Sequence, residues 1–176
     1  MIIQAISLKG HRDKHDIITN IKTTNQKIKD INFFAVYDGH GGKDVSAFLK
    51  DNLSKSFLSL SCSYPLKKQD VYNIYDNLQK KISTQPYSAY TGSTALVAIM
   101  YKQQDSTYLN ILNTGDCRCI ICRDNFALPL TKDHKPHWPE ENRRIIKTGG
   151  KIVFDGFDFR IKDLSVSRAF GDTDAS

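Results

Sequence analysis

Apolar residues recur along this chain with two different spacings, and the switches between them mark out the elements. Residues 33–37, Phe-Phe-Ala-Val-Tyr, form a short apolar run of strand length, and residues 1–8, Met-Ile-Ile-Gln-Ala-Ile-Ser-Leu, read as another strand. A polar loop or hairpin over residues 23–30 separates the two. From Val45 the spacing changes to threes and fours. Val45, Phe48, Leu49, Leu53 and Phe57 predict an amphipathic helix over 43–58. Val71, Ile74, Tyr75, Leu78 and Ile82 predict a second over roughly 67–83, with a turn at Pro65 between them.

Beyond residue 92 the character reverts to strand. Residues 93–101, 107–113 and 117–123 are β-branched or apolar runs divided by polar turns at 103–106 and 114–116, a meander pattern. Residues 139–148 predict a short helix, with Pro139 in its first turn beside Glu140 and Glu141, and Gly149 and Gly150 closing it. Two further short strands, 151–154 and 159–162, flank an Asp155-Gly156 turn. Strands, then two helices, then more strands make an α+β protein with its helices segregated onto its sheets.

A chain of 176 residues with ordinary globular composition suits one domain over 1–176 and is short for two. No apolar stretch approaches the ~18 residues of a membrane span, and the first residues lack the basic flank of a signal peptide. A soluble intracellular protein, cytoplasmic or nuclear and with no membrane partner, is the expectation. The net charge of +6 is dispersed over residues 22–29, 67–81 and 132–151, with no recognition-helix or stacking-aromatic pattern beside it. No nucleic-acid partner is therefore expected. Cys62, Cys117, Cys119 and Cys122 lack the paired spacing of a zinc site and read as buried reduced thiols.

Candidate chemistry begins where the run at 33–37 ends, in Asp38-Gly39-His40-Gly41-Gly42. A buried strand that delivers a carboxylate and an imidazole at its end presents them to a cleft, and glycines let the backbone turn tightly there. A hairpin turn is the plain alternative for an Asp-Gly pair.

Other segments extend the pattern: Gly10-His11-Arg12, Thr91-Gly92-Ser93-Thr94-Ala95, Asn113-Thr114-Gly115-Asp116-Cys117-Arg118 and Asp133-His134-Lys135-Pro136. Pro139-Glu140-Glu141-Asn142-Arg143-Arg144-Ile145, Gly149-Gly150 and Val166-Ser167-Arg168-Ala169-Phe170-Gly171-Asp172 follow. In this order and at these spacings the sequence resembles the metal-dependent phosphatases of the protein phosphatase 2C family, over nearly its whole length. The resemblance implies two packed antiparallel β-sheets flanked by α-helices, a four-layer sandwich. It also implies hydrolysis of phosphoserine and phosphothreonine in phosphorylated protein substrates, with two Mg²⁺ or Mn²⁺ ions between the sheets.

On that resemblance Asp38 would bridge the two ions, Gly39 would lend its carbonyl, Asp172 would bind one ion, and Asp116 would hold a third, looser one. Oxygen donors of this kind suit hard divalent cations, which lower the pKa of a bridging water for in-line attack on phosphorus. Arg12 would grip the phosphate with its planar fork. His40 would be the general acid for the departing oxygen, since imidazole exchanges protons near neutrality. Polar turns remain the alternative for Asp116 and Asp172. Arg168 reads as a structural partner for backbone or carboxylates, His134 and His137 as solvent-facing, and Trp138 as the anchor of its loop to the sheet.

Two features depart from the family pattern. Asp16 stands where the family has a metal-binding glutamate, and Ile17 where it has an aspartate; the shorter Asp16 carboxylate could reach an ion through water. The chain also ends four residues after Asp172, before the family's last strands and last metal-binding aspartate. The expectation is a fold incomplete at its C-terminus: a fragment, a chain completed by a second polypeptide, or a degenerate member. A catalytically impaired phosphatase-like binding module is the competing function.

Overall fold

Strict alternation decides the first strand. Ile31, Phe33, Ala35 and Tyr37 are buried, while Asn32, Phe34 and Val36 between them are half-buried, the two-residue period of a strand with unlike faces. The computed structural model describes residues 29–59 and 64–175. In chain order its elements are β1 (Lys29–Val36), β2 (Gly39–His40), α1 (Asp44–Ser59), α2 (Lys68–Ser83) and a 3₁₀ turn (Pro86–Ala89). There follow β3 (Gly92–Ser93), β4 (Ala95–Gln103), β5 (Ser106–Thr114), β6 (Ile120–Arg123) and β7 (Phe126–Pro129). The last are α3 (Pro139–Lys147), β8 (Val153–Phe154), β9 (Phe159–Arg160) and β10 (Phe170–Gly171). The expected strand over 1–8 lies outside the described residues. The loop expected over 23–30 gives way at Lys29, where β1 already begins.

Every strand pair among the described residues is antiparallel, so the α+β reading holds. A central sheet runs β1–β4–β5 and a smaller ribbon runs β10–β3–β2. Val45, Leu49, Leu53 and Phe57 of α1, with Ile74, Leu78 and Ile82 of α2, bury one face of the central sheet. Their spacing, four residues at every step, keeps each set on one side of its helix. Phe33 and Phe57 meet there with ring centroids 5.9 Å apart. Each such side chain stabilises the fold by roughly 1.5–3 kcal/mol relative to exposure. The opposite face carries Phe34, Val36, Leu96, Ala98, Met100 and Ile111, as the register dictates.

Two expectations change. The strand read over 117–123 starts only at Ile120, because the Cys119 amide leaves the ladder to donate to Thr131 Oγ1 at 2.9 Å. It then turns back as an unforeseen hairpin, β6–β7, through Asp124 and Asn125, both at positive φ (51° and 64°), as a two-residue hairpin turn demands. That hairpin exposes both faces, so Cys122 is exposed, not buried. Trp138 stacks on His137, takes the Lys132 ammonium over its ring, and lines a surface recess with Ile120, Ala127 and Pro129 of the β6–β7 hairpin.

Among the described residues no helix is long and apolar enough to cross a membrane.

Candidate active site

From Asn32 onward β1 and β2 face β4 and β3 in one antiparallel register, interrupted where Asp38 lies opposite Thr94. The Thr94 amide donates to the Asp38 carbonyl at 3.0 Å. The Asp38 amide donates to the Thr94 hydroxyl at 3.2 Å instead of its carbonyl. That carbonyl is taken by the Ser93 hydroxyl at 2.8 Å. Asp38 is thereby clamped at the end of the strand by a buried threonine. Thr94→Val leaves the Asp38 amide without its acceptor, and we expect a loss of about 1–2 kcal/mol, read as a lower urea midpoint at unchanged slope.

The ribbon then joins segments far apart in the chain. Gly39 pairs with Ser93 and His40 with Gly92 on one side; Phe170 pairs with Ser93 and Gly171 with Gly92 on the other. Asp172 follows at once, in the left-handed region (φ 48°) after Gly171 (φ 82°). This double departure from strand geometry re-aims the Asp172 carboxylate across Gly92. Its Oδ2 meets His40 Nε2 at 2.6 Å, with the Asp172 side chain 8% exposed. A Cβ on Gly92 would overlap both groups. Asp38, two residues before His40 in an extended run, shares its face of the ribbon.

Asp116 stands in the turn after β5. Its Oδ2 accepts from the Lys135 ammonium at 2.8 Å, and Asp158 Oδ2 lies 3.6 Å from the same nitrogen. Cys117 sits between the two groups of carboxylates, its sulfur 3.1 Å from the Thr94 hydroxyl. Burial pushes its thiol pKa up, and the Asp38, Asp116 and Asp133 carboxylates push it further, against the Thr94 hydrogen bond. The thiol therefore stays protonated, and the donors gathered here are hard carboxylate oxygens that fit Mg²⁺ or Mn²⁺, not a thiolate metal. Among the described residues no three His, Cys, Asp or Glu side chains converge closely enough to hold an ion by themselves.

Of the residues singled out from the sequence, Asp38, Gly39, His40 and Asp172 come together around the ribbon, and Asp116 lies beyond Cys117. Arg12 and Asp16 lie outside the described residues. Gly39 is small because of α1: a Cβ there would crowd the Ser46 hydroxyl.

His134 is not solvent-facing as expected. It is half-buried, its Nδ1 accepts the Gly115 amide at 3.1 Å, and burial, then the Arg168 charge, lowers its pKa. Arg168 does pair with a carboxylate. Buried Glu141 of α3 accepts from Arg168 Nε and Nη2, from Arg144 Nη2 and from the Ser167 hydroxyl, the shortest of these at 2.5 Å. Burial opposes that charge, yet the three donors hold the Glu141 carboxyl down at about 2. This network bolts α3 to the segment that leads into Asp172. Thr94, Gly92, Lys135 and Glu141 were not identified as site residues from the sequence. All four lie inside the motifs named above, and Glu141 reads there as an ordinary first-turn acid.

The family description "Protein phosphatase 2C" matches residues 7–176. The chain belongs to the protein phosphatase 2C family. Members of this family are metal-dependent. Among protein phosphatase 2C relatives, a probable protein phosphatase 2C 2 of Oryza sativa subsp. japonica is 34% identical over 154 residues, which are 81% of this chain and 38% of the rice protein. A PP2C-like domain-containing protein of Acanthamoeba polyphaga mimivirus is 53% identical over 72 residues, 38% of this chain and 40% of the viral protein. A phosphatase structure from a pathogenic strain of Toxoplasma gondii superposes with a TM-score of 0.72 at 21% identity, covering 93% of this chain and 61% of that one. That likeness shows the protein phosphatase 2C fold. The chain spans about half or less of the length of these curated relatives.

Proposed function

We propose that this chain carries the site of a metal-dependent protein serine/threonine phosphatase, acting on phosphoserine and phosphothreonine in proteins. The observation that carries the reading is the contact of His40 with Asp172 across Gly92, which unites three motifs otherwise 132 residues apart at their extremes.

Asp38 and Asp172 would hold Mg²⁺ or Mn²⁺ with the Gly39 carbonyl and Asp16, and Asp116 a looser third ion. Such ions, when bound, acidify water and so supply a nucleophile near neutral pH. The chain's own groups do the rest. Arg12 binds and orients the phosphate through its fork. His40 gives a proton to the serine or threonine oxygen as it departs, and its contact with Asp172 fixes the ring for that transfer. The Thr94 clamp holds Asp38 in place while charge builds nearby.

The purified chain is expected to hydrolyse p-nitrophenyl phosphate and a phosphothreonine peptide only with Mn²⁺ or Mg²⁺. Chelation should stop turnover and resupply should restore it. A folded sample with no metal-dependent turnover overturns the proposal. One observation favours a second reading, a phosphopeptide-binding module without catalysis: Asp172 and Asp116 each already spend an oxygen on a side chain of the protein. Calorimetry that finds phosphopeptide binding in a sample without turnover selects this module.

A further inference from the structure

Lys135 has no part in the chemistry above, yet its ammonium occupies a chosen place. It lies 2.8 Å from Asp116 Oδ2 and 3.6 Å from Asp158 Oδ2, and its side chain is only 19% exposed. The nearby Arg118–Asp133 pair is different in kind, since that arginine is 71% exposed and its pairing is an ordinary surface contact. The backbone around Lys135 is also fixed. The adjacent His134 amide donates to the Gly115 carbonyl at 2.9 Å, and the Gly115 amide donates back to His134 Nδ1. Lys135 and Asp116 are thus held next to each other by their immediate chain neighbours, and only the lysine side chain is left to move.

A hard divalent ion at Asp116 draws on the same single negative charge that the ammonium neutralises, and two cations at one partly buried carboxylate repel strongly. Occupation is therefore exclusive. Asp158, in the turn between β8 and β9, offers the displaced ammonium a second carboxylate within reach. The geometry points to Lys135 as the resident cation of Asp116, so that a divalent ion gains this carboxylate only when Lys135 moves over to Asp158. The inference rests on the proposed role of Asp116 as the looser ion site. It makes Lys135 a built-in competitor that sets how much metal the site requires.

Direct Mn²⁺ binding tests this without any turnover assay, by titrating the whole chain and following free Mn²⁺ by electron paramagnetic resonance. In Lys135→Met the weakest Mn²⁺ site should tighten about tenfold, and adding Asp116→Asn should remove the gain. Lys135→Arg keeps the charge and should bind no more tightly than the wild type. Asp158→Asn strands the ammonium on Asp116 and should loosen the weakest site.

Equal binding in wild type and Lys135→Met overturns the inference. So does a gain that survives Asp116→Asn, a gain shared by Lys135→Arg, or unchanged binding in Asp158→Asn. If Lys135→Met loses its circular dichroism signal, Lys135→Gln takes its place. The same titration reports ions lost on Asp38→Ala. Their absence would sink the phosphatase reading while leaving the Lys135 comparison legible, so the two failures are distinct.

Discussion

Gly92→Ala is expected to cut metal-dependent turnover by about 100-fold or more while the protein stays folded. Gly92 does not sit in the left-handed region, so alanine meets no backbone strain there. The damage comes from one methyl group. It would overlap Asp172 Oδ2 and His40 Nε2 together, and both side chains must swing away from each other to admit it. Displacing reacting groups by about 1 Å is enough for a loss of this size. Far-ultraviolet circular dichroism of the variant should match the wild type, since α1 and α2 pack on the central sheet and not on this methyl position. Turnover that survives the substitution would show that the His40–Asp172 contact lies outside the reacting site.

Glu141→Ala is expected to destabilise the protein by roughly 3 kcal/mol, the low end of the cost of breaking a buried ion pair, because both guanidiniums are nearly half exposed. Burial disfavours the Glu141 charge, but Arg168, Arg144 and Ser167 donate to it and bring its pKa from 4.5 to about 2. A carboxyl depressed on folding contributes stability that is complete above its unfolded value. That contribution drains away as pH falls from about 4.5 towards 2. Urea midpoints measured between neutral pH and pH 2 should therefore fall less steeply for Glu141→Gln than for the wild type. Parallel curves would mean that the network adds nothing specific to acid stability.

The helices were legible because their apolar residues repeat at intervals that only one conformation satisfies. Val45, Leu49, Leu53 and Phe57 placed α1 within a residue at each end, and Pro139 placed the start of α3. The ribbon was not legible. Two-residue strands such as β2, β3 and β10 have no period to read, and they exist only because distant partners supply their hydrogen bonds. Asp38, His40 and Asp172 stood out as residue types, but the Asp172 contact with His40 depends on a backbone reversal that no local pattern announces. Glu141 shows the opposite failure. An acid in a helix's first turn is so ordinary that its burial among two arginines and a serine gave no outward sign. Cys122 misled because a hairpin open on both faces hides nothing, whatever the hydrophobicity of its residues.

The twist of the chain at Asp172 narrows what evolution or a protein engineer can install there. A left-handed residue pays for any branched or bulky side chain with strain, while asparagine and aspartate tolerate that conformation best after glycine. Glutamate, the other acid, brings a longer arm and a less tolerant backbone. Of the common amino acids, aspartate is thus the one that both accepts the conformation and carries a negative charge at so short a reach.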